Sequence, residues 1–261
     1  MIKIKKFFIP LISIVFILLL WQVLESASSL KMVNSGQTSL EAFIPLPTTI
    51  VKTLWNDGSV ILSELLITLA RASLGFIIGF ILALVISLIL YFFPILKNLV
   101  MPLSFAINSF PIIGFSPLIV LLFGQGSWFG IVSISAIISY FPILISLEAA
   151  SREIVSQSVI DLMKVLNASR WQVLTKVILP NSLSYFFISL KLALPASIMG
   201  AVIGEWLGAN SGVGRLIILS FYQLKPGLLY ASLFSVILLS LFLVYLMVLL
   251  ERKICFWKKV D

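Results

Sequence analysis

The chain is a succession of long apolar runs separated by short polar breaks. Six runs are long enough to cross roughly 30 Å of hydrocarbon, near Phe7–Leu24, Ala72–Phe93, Leu99–Phe123, Phe129–Leu147, Leu183–Ile203 and Leu228–Leu250. The runs lack the apolar–polar alternation of a membrane barrel strand. The pattern therefore predicts an all-α integral membrane fold with six transmembrane helices. Two segments interrupt it. Residues 25–71 contain Ile44-Pro45-Leu46-Pro47, and Thr48–Trp55 then reads as a short interfacial helix. Residues 148–182 form the longest inside loop.

Composition sharpens this reading. Hydrophobic residues make up 61% of the 261 positions and charged residues 11%, where soluble domains average about 25% charged. Disordered, disulfide-scaffold and ordinary cytosolic classes are excluded. The first run follows Lys3, Lys5 and Lys6 and precedes Ser26-Ala27-Ser28. It fits either a secretory signal or a retained span. Its length of about 18 residues exceeds a typical signal core, so a retained span is expected.

Charge then orients the spans. With the N-terminus inside, twelve Lys and Arg fall inside and five outside, the latter being Lys31, Lys52, Arg71, Arg215 and Lys225. Lys191 falls within the fifth run. This bias follows the positive-inside rule and predicts both termini in the cytoplasm. The net charge of +8 is explained by orientation, and no nucleic acid partner is expected. We expect a single membrane domain over residues 1–261, and find no internal repeat.

The absence of histidine removes the commonest acid–base catalysts and most zinc sites. No metal site and no catalytic residue are predicted. Cys255 is the single cysteine, so an intrachain disulfide is impossible. It suits either lipid modification or a buried thiol.

The inside loop carries the chemistry. Apolar residues at 159, 160, 162, 163, 165 and 166 make an amphipathic helix with Asp161 and Lys164 on its polar side. Asn167 ends that helix, because Asn tolerates the left-handed conformation. Ser169 caps a second helix opening at Arg170-Trp171. Pro180 is expected to end that helix and begin the next span. Helix, corner, helix suits docking into a partner's groove, or lying on membrane lipid.

This loop resembles the EAA loop of ABC importer permeases: the triplet, three residues, Gly, nine residues, Ile, one residue, Leu-Pro. Glu148-Ala149-Ala150 spells the triplet, but Ile154 then stands at the glycine position and Leu166-Asn167 at the Leu-Pro position. Counting from Asp161 places Asn167 at the glycine, Val177 at the isoleucine, and Leu179-Pro180 intact. The triplet is then Asp161-Leu162-Met163, with Leu-Met bulkier than Ala-Ala. Other segments carry the likeness further: Ile44-Pro-Leu-Pro-Thr, Thr68-Leu-Ala-Arg71 with Gly75 and Gly79, Phe110-Pro111 through Pro117 and Phe123-Gly124, and Gly204-Glu205-Trp-Leu-Gly-Ala through Gly212 and Gly214. The chain is most similar to the branch importing nitrate, sulfonates, taurine or the thiamine pyrimidine precursor.

The resemblance implies a type I ABC importer permease fold in a bacterial cytoplasmic membrane. It implies two ATPase subunits, a second permease copy and an external solute-binding protein. No phosphate-binding loop Gly-x-x-x-x-Gly-Lys-Ser/Thr occurs in the chain. ATP and Mg would therefore sit on the separate ATPase, and this chain would bind no cofactor. ATPase-coupling residues would be Asp161, Leu162, Met163, Asn167, Ala168, Arg170, Trp171, Val177, Leu179 and Pro180.

For the translocation path the expected residues are Asn108, Ser109, Pro111 and Glu205. Pro102, Pro111, Pro117 and Pro142 either break helices that line a cavity or are tolerated kinks. Glu205 is expected near the outer interface as a solvated carboxylate, and Lys191 reaching a headgroup; either could instead touch solute. Gly75 and Gly79 read as close helix packing, and Gly124, Gly126, Gly208, Gly212 and Gly214 as outside turns. The alternative is a self-contained secondary transporter, which needs coupling charges within the spans. An intramembrane enzyme or a structural membrane protein would be further classes.

Overall fold

The structure is a computed structural model describing residues 20–23, 44–154, 162–163 and 165–255. Most of the first run, with Asp161 and Lys164, lies outside the described residues. The principal helices among the described residues are α1 (Pro47–Asn56), α2 (Gly58–Phe92), α3 (Lys97–Ser109), α4 (Ile112–Phe123), α5 (Trp128–Ile154), α6 (Arg170–Val173), α7 (Leu179–Trp206), α8 (Val213–Tyr222) and α9 (Pro226–Ile254). Four stretches among the described residues are long and apolar enough to cross a membrane: Gly58–Phe92, Trp128–Ser151, Arg170–Trp206 and Pro226–Ile254.

The chain forms two compact units, one drawing on Met1–Leu65 and Leu216–Ser235, the other on Leu66–Arg215 and Val236–Asp261. In the first, Pro47 opens α1, where its missing N–H costs nothing. Buried Ile50 packs with Ile61, Leu216 and Ala231. Trp21 stacks on Phe234.

The second unit is built around α5 and α7. Their seam is made of small residues. A Cβ on Gly200 would come within 2.7 Å of Ser135 Cα, and one on Gly204 within 3.1 Å of Ile131 Cα. On α2, Gly75 and Gly79 press against Ser135 and Ser139 of α5, as expected of close packing. Ser135 is fully buried, and its hydroxyl donates to the Ser197 carbonyl at 2.8 Å. Without a hydrophobic drive between helices in lipid, such close approach supplies the dispersion and polar contacts that hold them.

Three expectations are corrected. The second run begins well before Ala72: α2 has 35 residues, about 50 Å of helix, because no proline interrupts residues 58–92. Its first turns belong to the helix and not to an outside loop. The third run is two helices, not one. Pro111 lacks an N–H and forces Phe110 out of the helical region, to ψ 131°, and neither α3 nor α4 is long enough to span. Pro102 and Pro142, by contrast, sit inside continuous helices. Finally, Pro180 does not end a helix. The helical path runs from Arg170 to Trp206. A π turn at Leu174–Ile178 precedes Pro180, and this wider turn relieves the crowding of the Lys176 carbonyl by the proline ring.

Two ion pairs join helices within the unit. Lys97 Nζ lies 2.8 Å from Glu148 Oε2, so the Glu148 that opens the out-of-register triplet joins α3 to α5. Lys191 meets Glu251 of α9 at 2.8 Å and does not need a headgroup. Cys255 is a buried thiol beside Phe187 and Leu190.

Candidate functional site

The corner at Asn167 forms from local signals. Asn167 has φ 55°, the left-handed value read from its sequence position. The Ala168 N–H donates to the Met163 carbonyl at 3.0 Å, the six-to-one bond of a Schellman stop. Ser169 then starts α6 with a capping box. Its hydroxyl accepts from the Gln172 N–H at 3.2 Å, and the Gln172 side chain accepts from the Ser169 N–H at 2.8 Å. The chain therefore turns sharply within three residues, with both helix ends satisfied.

Leu162, Val165 and Leu166 stand exposed beside this corner, Val165 at 84%. Asn167, Arg170 and Trp171 are exposed as well, Met163 and Ala168 partly so. Leu179 and Pro180 are exposed and Val177 partly so, further along the helical path, where Leu174 and Ile178 turn inward. The corner is also tied to the end of α2. Tyr91 Oη donates to the Arg170 carbonyl at 2.9 Å, and Arg170 Nη1 donates to the Phe92 carbonyl at 2.9 Å.

The translocation set is not brought together. Asn108, Ser109 and Pro111 are exposed at the break between α3 and α4. Glu205 lies elsewhere and is 1% exposed, which corrects the expectation of a solvated carboxylate. It accepts from Thr68 Oγ1 at 2.9 Å, from Arg71 Nη1 at 2.8 Å and from the Gly214 N–H at 2.8 Å. Arg71, 4% exposed, also donates to the Ser211 carbonyl at 2.7 Å and hydroxyl at 3.0 Å. Its guanidinium sits 4.8 Å from the Trp128 ring centroid, a cation–π distance. The Val213 N–H completes the knot by donating to Thr68 Oγ1 at 2.8 Å.

Gly212 and Gly214 make room for this knot. Gly212 has φ 107°, and a Cβ there would overlap the Glu205 carboxylate. Gly214 is not in a turn but in the first turn of α8, where a Cβ would lie 2.5 Å from the Val202 carbonyl. Arg71, expected among the outside cations, is thus an internal partner. A signal for it existed: Thr68, Arg71, Gly75 and Gly79 share one face of α2, so a cation on the packing face required an acid.

With this geometry described, comparisons with known proteins fix the family. The family model described as "Binding-protein-dependent transport system inner membrane component" matches residues 75–255. A probable ABC transporter permease protein of Haemophilus influenzae is 29% identical over 236 residues, 90% of this chain and 92% of that protein. The formylaminopyrimidine transport permease protein ThiX of Halalkalibacterium halodurans is 27% identical, covering 96% of both chains. A putative aliphatic sulfonates transport permease protein of Bacillus subtilis, SsuC, is 27% identical over 82% of this chain and 78% of that protein. Among solved structures, an inward-facing MetNI methionine ABC transporter superposes with TM-score 0.65 at 17% identity, over 77% of this chain and 97% of that chain. The last likeness establishes the fold. The chain belongs to the binding-protein-dependent transport inner membrane component family, and it is a non-enzymatic ABC transporter permease of a membrane.

Proposed function

We propose that the chain is one of two identical permease copies in an ATP-driven importer. Six crossings, the third made by α3 and α4 together, with both termini on the cytoplasmic face of a bacterial inner membrane, put residues 148–182 in the cytoplasm. There Asp161 and the corner at Asn167 dock on a separate ATPase, which holds ATP and Mg. An external solute-binding protein delivers the solute. ATPase closure pushes the corner, and rigid-body rocking exposes the path alternately to each side.

The corner itself is the observation that carries this reading. Leu162, Val165 and Leu166 are exposed apolar side chains beside a capped, sharply bent backbone. Such a patch needs a cover, and a helix seated in a partner groove supplies one. A self-contained secondary transporter would need membrane-depth charges free to bind a coupling ion. Here Arg71 is taken up by Glu205 and Lys191 by Glu251.

For the solute we infer a small organic molecule or oxyanion, with the thiamine pyrimidine precursor first. Two supports are the Gly204-to-Ala209 stretch and the formylaminopyrimidine name of one relative. Asn108, Ser109 and Pro111 are the proposed path residues, at the α3–α4 break. Glu205 is committed to Arg71 and is assigned to the architecture around the path.

The test is purification of the complex from its native membrane. An ATPase subunit should co-elute, and hydrolysis should rise when binding protein loaded with formylaminopyrimidine is added. A monomer that catalyses ion-driven uptake in liposomes would overturn the assignment. Stimulation by taurine or an alkyl sulfonate instead would move only the solute.

A further inference from the structure

Tyr91 and Phe92 close the 35-residue helix α2, and neither belongs to the loop read as the coupling site. The last carbonyls of a helix have no partner within it and carry the negative end of its dipole. Arg170 supplies both a donor and a cation there, at 2.9 Å from the Phe92 oxygen. Tyr91 returns a bond to the Arg170 carbonyl at 2.9 Å. The Phe92 and Trp171 rings stack with centroids 6.3 Å apart and planes 16° from parallel. Two consecutive residues thus grip two consecutive residues through three contacts, which fixes orientation as well as position.

The rest of the unit gives this grip a mechanical meaning. About 30 Å along α2 from Tyr91, Arg71 is bonded to Glu205 near the end of α7. The α2 helix is therefore fastened to the α6–α7 path at two places, at its C-terminal end and at Arg71 in its N-terminal half. Between Arg170 and α7 lies the π turn at Leu174–Ile178, and such turns are where helices bend. Along the chain a push on the corner reaches α7 across that turn, whereas it reaches α2 through the grip directly.

We propose that Tyr91 and Phe92 are positioning residues that carry displacement of the inner corner into α2, so that the corner drives two spans. The proposal rests on the reading above, that an ATPase acts at this corner. Without the grip, α2 is held at its Arg71 knot and its inner end lags.

The experiment uses the complex with its co-purified ATPase in a Cys255→Ser background. Spin labels at Ile89 and Leu121 report α2, and labels at Leu192 and Leu121 report α7; all three positions are exposed. MgATP with vanadate is the probe. Both distances should shift in the otherwise unaltered complex. In Tyr91→Phe combined with Phe92→Leu, which removes one hydrogen bond and the ring stack from the α2 side alone, the Leu192 pair should keep its shift while the Ile89 pair loses at least half. Tyr91→Phe alone, which removes one oxygen and keeps the ring, should give a smaller loss of the same kind. Tyr91→Phe with Phe92→Tyr, which keeps a stacking ring, should recover part of it. Unchanged shifts in both pairs would overturn the relay. Loss of both together would also overturn it, because the two residues would then serve the corner itself. Absence of any shift without these substitutions would sink the coupling reading itself, and the relay with it.

Discussion

Arg71 Nη1 lies 2.8 Å from Glu205 Oε1, with side-chain exposures of 5% and 0%. The residues are 134 positions apart, and their bond holds the N-terminal half of α2 to the end of α7. Taking two charges out of water costs several kcal/mol per ion. Here Thr68, the Gly214 N–H and Ser211 bond most of the remaining positions around the pair, while Arg71 Nε is buried without a partner. Those bonds offset much of the burial cost.

Breaking one side should therefore be costly. Glu205→Gln or Arg71→Gln alone should each lower stability by about 3–5 kcal/mol. The double variant should cost less than the sum of the two, by about 0.5–3 kcal/mol. Denaturant unfolding in mixed micelles, followed by maleimide labelling of the buried Cys255, measures all three. Strict additivity would mean that the two side chains do not act as a pair.

The glycine seam gives a second prediction. A Cβ on Gly79 would come 2.6 Å from the Ala136 carbonyl, a backbone atom that cannot rotate away. Gly79→Ala should cost about 1–3 kcal/mol as overpacking. At Gly58, the first residue of the same helix, a Cβ would meet nothing within 4 Å. Gly58→Ala should stay within about 0.5 kcal/mol of the parent. The same labelling assay compares them, and equal effects would remove the seam as a packing contact.

The features visible in the sequence are those set by near neighbours. Asn167, Ser169 and Gln172 fall within six positions, and each acts on backbone a few residues away, so the corner could be read directly. The same holds for Pro47 at the head of α1. Gly75 and Gly79 were legible because helical spacing puts them on one face. The same spacing puts Arg71 on that face, but Glu205 as its partner was not legible, because the pairing is created only when α2 and α7 pack. A hydropathy window also averages across Phe110-Pro111, where the chain stays apolar while its backbone breaks. Tyr91 and Phe92 have the sequence of an unremarkable aromatic span end, and only the fold sets Arg170 against them.

At the Lys191–Glu251 pair the expected asymmetry is in the single variants. Both side chains keep some exposure, 24% and 17%, so solvent or headgroups screen part of the interaction. Glu251→Gln leaves a lysine in the fifth apolar run, but its flexible stem can carry the ammonium toward the interface. The loss should be well below that of Glu205→Gln. Side-by-side unfolding of the two variants tests this ordering, and a larger loss at Glu251 would reverse it.

Asn167 separates a backbone requirement from a side-chain one. Its φ of 55° costs an ordinary L-residue roughly 1–2 kcal/mol, while glycine adopts it freely. Asn167→Gly should therefore keep both the corner and transport. Asn167→Val should strain it, because a β-branched side chain is poorly tolerated there. Asn167→Pro cannot reach a positive φ at all, so the corner must rebuild. In that variant the helices of the second unit, held by the Ser135 seam and the Arg71 knot, should still assemble. Transport should fall several-fold, and hydrolysis should no longer respond to loaded binding protein. Uptake and ATPase stimulation measured on the same preparations decide the matter. Parental transport by Asn167→Pro would show that the corner's shape is not what the ATPase engages.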